Sequence, residues 1–152
     1  AVQGDTVSSG DGDDTIVVNR NIVSWNNYFD LTSMTLIGGR GNDTYVVGTG
    51  FDFRANNEFH ILDVTIDNFD DSESTDTLHI ANFAPSEIHL FEFGADLRIE
   101  GPRLEQWDGD PNFIVTVVDY FKSQTNEIDQ IEFDRCWFKI YGVYVRSKTD
   151  EN

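Results

Sequence analysis

Gly38-Gly39-Arg40-Gly41-Asn42-Asp43-Thr44-Tyr45-Val46 is the stretch whose reading decides the fold. Its glycines admit the left-handed and extended conformations that a tight turn requires, and they leave carbonyls free to point inward. Asp43 supplies charge, and Thr44-Tyr45-Val46 reads as a very short strand with one side chain facing in. Upstream, Ser9-Gly10-Asp11-Gly12-Asp13-Asp14 leads into Thr15-Ile16-Val17 in the same form. Asp5-Thr6-Val7 precedes Asp14 by nine residues and Asp52-Phe53-Arg54 follows Asp43 by nine, so the first third of the chain repeats with period nine. Val47-Gly48-Thr49-Gly50-Phe51-Asp52 is a weaker copy, and Leu36, nine residues before Tyr45, belongs to a copy whose aspartate has become Met34. Two nines make one full coil, which places each turn against the turn 18 residues away across a shared ion. Ile16 to Leu36 is 20 residues, two periods plus two, which marks residues 19–32 as an irregular insertion.

From Glu58 onward the strands lengthen and glycine thins out. His60, Leu62, Val64 and Ile66 alternate onto one face, as a half-buried strand requires. Further strands are predicted at 77–80, 88–93, 97–100, 113–121, 131–133 and 137–145, with turns at Phe93-Gly94-Ala95-Asp96 and around Asp108-Gly109-Asp110. No window of eleven or more residues shows helical periodicity, so the chain reads as all-β, with at most a helical turn near Pro85-Ser86-Glu87 and another near Thr125-Asn126-Glu127.

Composition narrows the function. With 152 residues the chain is the length of one domain, and 12 Phe, 5 Tyr and 3 Trp supply ample core. A formal charge of −18, from 28 acids against 10 bases, opposes binding to nucleic acid, which rests on Lys and Arg neutralising phosphates. It opposes anionic membranes as well. An acidic chain attracts cations, and calcium is the commonest cation for carboxylate and carbonyl oxygens. The single Cys136 excludes an internal disulfide framework. The longest clean apolar stretch, near 113–118, falls far short of a membrane span of about 20 residues. The first residues show neither the charged nor the apolar region of a signal peptide.

The nonapeptide at 38–46 fits Gly-Gly-x-Gly-x-Asp-x-apolar-x at every defined position, and residues 9–17 fit apart from Ser9. The chain thus resembles the calcium-binding repeats of the RTX (repeats-in-toxin) family, proteins exported by type I secretion. Asp76-Thr77-Leu78, residues 94–99, residues 115–121 and residues 127–133 resemble, in that order, the region that follows such repeats. The resemblance implies a short parallel β-roll over residues 1–54, with its irregular insertion at 19–32, and a C-terminal β-rich capping region over 55–152. It implies Asp5, Asp14, Asp43 and Asp52 as carboxylate ligands to Ca2+, with backbone oxygens from Gly10, Gly12, Gly38, Arg40 and Gly48. Met34, Ser9 and Val47 depart from the pattern and remove or weaken ligands, leaving between one and four ions.

Other candidates read more blandly. The run holding Asp67, Asp70, Asp71, Glu73 and Asp76 reads as a solvated acidic surface, with a further ion site as the lesser alternative. His60, His79 and His89 each stand alone on predicted strands, and Cys136 reads as an inert thiol. No nucleophile elbow, zinc-protease motif or phosphate-binding loop is present, so no enzymatic activity is expected of this chain. The expected function is a calcium-binding module that folds outside the cell, secreted or on the cell surface. It would be a monomer that aids the stability and export of a larger polypeptide through the type I machinery. Two alternatives are a calcium-rigidified ligand-binding module of an adhesin, with Trp25, Tyr28 and Phe29 as its recognition loop, and an accessory module of a polysaccharide-modifying enzyme.

Overall fold

Alternating apolar residues form strands here, and the inward side of each strand stacks on the inward side of its neighbour. The computed structural model describes residues 5–19, 29–49, 59–71, 73–103, 111–134, 137–141 and 144–147. Within them lie β1 (Asp5–Asp11), β2 (Thr15–Asn19), β3 (Phe29–Arg40), β4 (Thr44–Thr49), β5 (Phe59–Asp67) and β6 (Thr77–Ile80). They are followed by β7 (His89–Phe93), β8 (Asp96–Glu100), β9 (Phe113–Val117), β10 (Gln130–Phe133), β11 (Trp137–Tyr141) and β12 (Tyr144–Ser147). Short 3₁₀ turns occupy Pro85–Glu87 and Gln124–Asn126, where the sequence places its two helical turns.

The strands make two six-stranded sheets, ordered β1-β3-β5-β9-β8-β7 and β12-β11-β10-β6-β4-β2. Pairing is parallel from β1 through β9 in the first sheet and from β2 through β10 in the second. The β7–β8 and β11–β12 hairpins add antiparallel edges. Four strand pairs, β1–β2, β3–β4, β5–β6 and β9–β10, each cross from the first sheet to the second through a turn, and the turns lie at one end of the stack.

The fold read from the sequence, a short β-roll closed by a β-rich cap, is corrected by this architecture: the strands make two mostly parallel sheets with no closed barrel, and the β-roll itself is not seen among the described residues. The physical reason is register. Met34 and Leu36 of β3 align with Val64 and Ile66 of β5, and these with Val115 and Val117 of β9, so burial of apolar side chains carries the parallel pairing well past residue 54. The turns of the first two strand pairs stack at a separation of 29 residues, not 18, because the lengthened connection between β2 and β3 adds to the coil.

Leu36, Tyr45, Val47, Leu62, Val64, Ile66, Leu78, Ile80, Ile99, Phe113, Val115 and Val117 are wholly buried and belong to one cluster shared by both sheets. Phe113 and Phe133 are buried there, and Phe121 packs against it half-buried. Trp107 and the side chain of Trp137 lie outside the described residues. The packing sets a graded expectation. Ile66→Ala opens a cavity at the centre of the first sheet and should cost about 2–5 kcal/mol in urea unfolding. Val17→Ala, on a side chain 46% exposed, should stay within about 0.5 kcal/mol of the parent.

Candidate functional site

Four strands of the second sheet are entered from an aspartate: Asp14 before β2, Asp43 before β4, Asp76 before β6 and Asp129 before β10. Register stacks these residues, since Thr15 lies beside Thr44, Thr44 beside Thr77, and Thr77 beside Gln130. The carboxylates of Asp43, Asp76 and Asp129 each accept the main-chain N–H of the aspartate one strand pair earlier. Asp14 donates to Asp43 Oδ1 at 3.0 Å, Asp43 to Asp76 Oδ1 at 2.9 Å, and Asp76 to Asp129 Oδ2 at 2.9 Å. Main-chain bonds run alongside, from Thr44 N to Asp14 O and from Thr77 N to Asp43 O, both 2.8 Å. A second ladder lies one residue before: Asn42 N donates to Asp13 Oδ1 (2.9 Å), and Thr75 N donates to Asn42 Oδ1 (2.7 Å).

The aspartate ladder runs through the interior. Asp43 is 1% and Asp76 2% exposed, and Asp70 beside them is buried as well. Asn68 Nδ2 donates to Asp76 Oδ2 (2.9 Å), while Asn68 Oδ1 accepts the Tyr45 hydroxyl (2.7 Å), which in turn accepts the Gly38 N–H (3.0 Å). Only glycine fits at 38, because a Cβ there would collide with the Asp43 carboxylate and the Tyr45 hydroxyl. Asp14 Oδ2 and Asp43 Oδ2 are buried with no hydrogen-bond partner among the described residues. Burial pushes the Asp43 and Asp76 carboxyls above the ordinary carboxylate range, against the pull of the main-chain N–H groups they accept, and neighbouring acids push the same way. Burial raises Glu127 too, helped by the charge of Asp129.

The six turn residues proposed as ligands in the first two strand pairs come together: Gly10, Gly12 and Asp14 stack on Gly38, Arg40 and Asp43. Several of the carbonyls already accept a protein donor. Gly38 O takes the Ser9 hydroxyl (2.8 Å), and Arg40 O takes the Gly12 N–H (2.7 Å). Arg40 also reaches across with its side chain, where Nε and Nη2 hold the two oxygens of Asp71 at 2.7 and 2.8 Å. Gly48 lies away from this group, in β4, with its carbonyl on Asn82 Nδ2 (2.6 Å). Asp5 starts β1, exposed and paired with Met34. Asp52, Trp25, Tyr28 and Cys136 lie outside the described residues.

Asp76, Asp129 and Asn68 complete the ladder but are not joined to the repeat by its period. The signal is nevertheless present, since Asp14-Thr15-Ile16 and Asp43-Thr44-Tyr45 recur as Asp76-Thr77-Leu78 and, with glutamine, as Asp129-Gln130-Ile131. Intervals of 33 and 53 residues conceal it from a search at nine. The acidic run read as surface is in part interior. A cavity of about 430 Å³ lies there, lined by Asp70, Glu73, Ser74, Asp76, Gln124, Thr125, Glu127 and Asp129. His79, on β6, sits between Glu132 (3.4 Å) and Asp134 (3.0 Å), and His89 is exposed on β7.

The donor chemistry of the turns suits a hard cation. It offers only oxygens, two of them buried carboxylate oxygens without partners among the described residues, and each engaged carbonyl keeps a second lone pair. Among the described residues, no three acidic, His or Cys side chains are arranged to hold a metal, so a bound ion would need main-chain carbonyls for most of its shell. Also among the described residues, no helix is long and apolar enough to cross a membrane. Compared with known proteins, no family model and no curated protein matches the chain.

The raised carboxyls give a pH dependence with a definite sign. A folded-state value above the unfolded one means that the folded chain holds more protons in the window between them, so stability falls as pH rises through that window. With divalent cations chelated, the urea midpoint should rise on acidification from neutral pH towards the ordinary aspartate value, about 4. Asp43→Asn and Asp76→Asn, which keep an oxygen acceptor but no charge, should each flatten that rise. An unaltered slope in both variants would show that these carboxyls do not carry it.

Proposed function

We propose that this chain is a calcium-dependent folding module of a larger polypeptide exported by type I secretion, and that its work is structural, not enzymatic. The observation that carries the reading is the stack of Asp14, Asp43, Asp76 and Asp129, buried at its middle, two of whose oxygens are buried without hydrogen-bond partners among the described residues in a chain of charge −18. Stacked carboxylates in a poorly polarisable interior repel one another. Ladder N–H groups offset part of that repulsion, and the Asp43 and Asp76 carboxyls stay raised, by burial first and by the neighbouring acids after it.

Asp14 and Asp43, with the carbonyls of Gly10, Gly12, Gly38 and Arg40, would hold the cation. When bound, calcium supplies positive charge between neighbouring turns. Extracellular calcium modules dissociate at about 10⁻⁴ to 10⁻³ M, so a chain of this kind is loose where calcium is scarce and ordered where it is millimolar. Ligand at a hundredfold excess over its dissociation constant adds roughly 2.7 kcal/mol per independent site, a large share of the stability of a small domain. Export of a loose chain and folding after release follow from that difference.

Circular dichroism and Trp fluorescence during a calcium titration, with magnesium as control, test this reading. The expected result is a cooperative gain of β structure at sub-millimolar to millimolar calcium that magnesium does not reproduce. Asp43→Ala should raise the calcium midpoint severalfold, whereas Glu92→Ala, on an exposed side chain of β7, should leave it unchanged. A chain fully folded in EDTA and indifferent to calcium would refute the proposal.

A further inference from the structure

Six side chains, one from each strand, line up across the outer face of the first sheet. Register sets Thr6 of β1 beside Thr35 of β3, Thr35 beside Thr65 of β5, and Thr65 beside Thr116 of β9. Arg98 of β8 and Phe91 of β7 continue the line. The adjoining residues Leu36, Ile66, Val117 and Ile99 are buried, so alternation turns the line outward. Thr6 is exposed and the other five are half-buried. With neighbouring strands about 4.8 Å apart, the line is about 24 Å long and presents a polar group or a ring at each step. Its flanks are acidic. Asp63 and Asp67 stand two residues to either side of Thr65, and Asp96 and Glu100 to either side of Arg98, four carboxylates against one guanidinium. Glu100 is held by Arg98 and Arg103 (3.0 Å each) and Asp96 accepts the Asp119 N–H (2.7 Å), so Asp63 and Asp67 dominate the face. At the β7 end Phe93, on the same face as Phe91, is 55% exposed, with the Arg98 guanidinium 5.1 Å above its ring.

We propose that this face binds a linear, β-linked amino-sugar polymer, laid across the strands with its rings along the threonine line and its ammonium groups against Asp63 and Asp67. The step between strands is close to the advance of an extended β-1,4-linked chain per sugar ring. An extended peptide advances only about 3.3 Å per residue and falls out of step. Each threonine hydroxyl both donates and accepts, as a sugar hydroxyl does, so one kind of contact repeats from strand to strand. Phe91 and Phe93 offer rings for the apolar face of a pyranose, and an exposed ring on a polar face is itself a mark of a contact surface. Charge then decides between polymers, since the acidic flanks repel uronates and nucleic acids and attract a polycation. The comparable row of the second sheet, Thr15, Thr44 and Thr77, runs on to Gln130 and Lys139 and supplies an internal comparison. The proposal uses the first sheet alone and goes beyond the calcium reading, adding a surface for what the chain meets outside the cell.

Isothermal titration calorimetry of the full chain in millimolar calcium, at mildly acidic pH where sugar amines are protonated, compares β-1,4-linked hexamers of glucosamine, glucose and glucuronate. Saturable one-to-one binding of the glucosamine hexamer is expected, with the glucose hexamer weaker and the glucuronate hexamer inert. The double variant Thr65→Val with Thr116→Val removes two hydroxyls at nearly constant volume and should weaken binding about tenfold, the scale of one or two lost hydrogen bonds. Asp63→Asn with Asp67→Asn should bring the glucosamine hexamer down to the affinity of the glucose hexamer. Thr15→Val, the same change on the other sheet, should leave affinity unaltered. Valine suits a strand, and a urea midpoint equal to the parent's shows that each variant is folded. Failure of the glucosamine hexamer to bind, equal affinity for the glucose hexamer, or undiminished binding by the double threonine variant overturns the proposal. The expected pattern in a chain that folds without calcium leaves this surface standing and removes only the calcium reading.

Discussion

Main-chain N–H groups donated to the next aspartate carboxylate hold the turns of this molecule in line, and the other layers of structure depend on that alignment. The bonds are charge-assisted, which makes them stronger than ordinary main-chain bonds; the Asp43–Asp76 rung is buried and the other two are partly buried, which limits competition from water. They fix where the four parallel strands of the second sheet begin. Because side chains alternate along a strand, that starting point decides which residues face the core. With Asp43 beside Asp76, Tyr45 and Val47 face inward next to Leu78 and Ile80, and all four are fully buried.

The same alignment concentrates charge. A stack of carboxylates is tolerable only where donors or cations meet it, and the N–H rungs meet one oxygen of each of Asp43, Asp76 and Asp129. The Asn68–Tyr45–Gly38 chain shows how far the polar groups around the ladder are satisfied by protein alone. Asp14 Oδ2 and Asp43 Oδ2 mark where that provision stops. Fold and proposed cation response therefore share one cause, since the groups that set strand register also carry the uncompensated charge.

Much of this was legible in the sequence. Alternation at 62–66 and 113–117 identifies strands and their buried faces, Gly94 and its neighbours mark the β7–β8 hairpin, and the two nonapeptides place six candidate ligands in adjacent turns. The stacking interval was not legible, because a period of nine is a local property while the coil is closed by connections of any length. The insertion before β3 and the long excursion through β7 and β8 shift the intervals to 29 and 53 residues. Membership of Asp76 and Asp129 was hidden for the same reason, although the triplet Asp76-Thr77-Leu78 repeats that of Asp14 and Asp43. Nor does sequence show that the carbonyls of Gly38 and Arg40 already accept donors, since Ser9 and Gly12 reach them only after stacking.

Amide exchange resolved by NMR at Asp14, Asp43 and Asp76 tests the central claim most directly. All three N–H groups lie outside regular strands, where exchange is ordinarily fast, and their partners are side chains. The ladder account expects them to be protected as strongly as the amides of Thr65 and Ile66 within β5, and to lose that protection one rung at a time when Asp43 or Asp76 is replaced by alanine. The result that would contradict it is exchange at these three amides as fast as at the β7–β8 turn, with no change on either replacement.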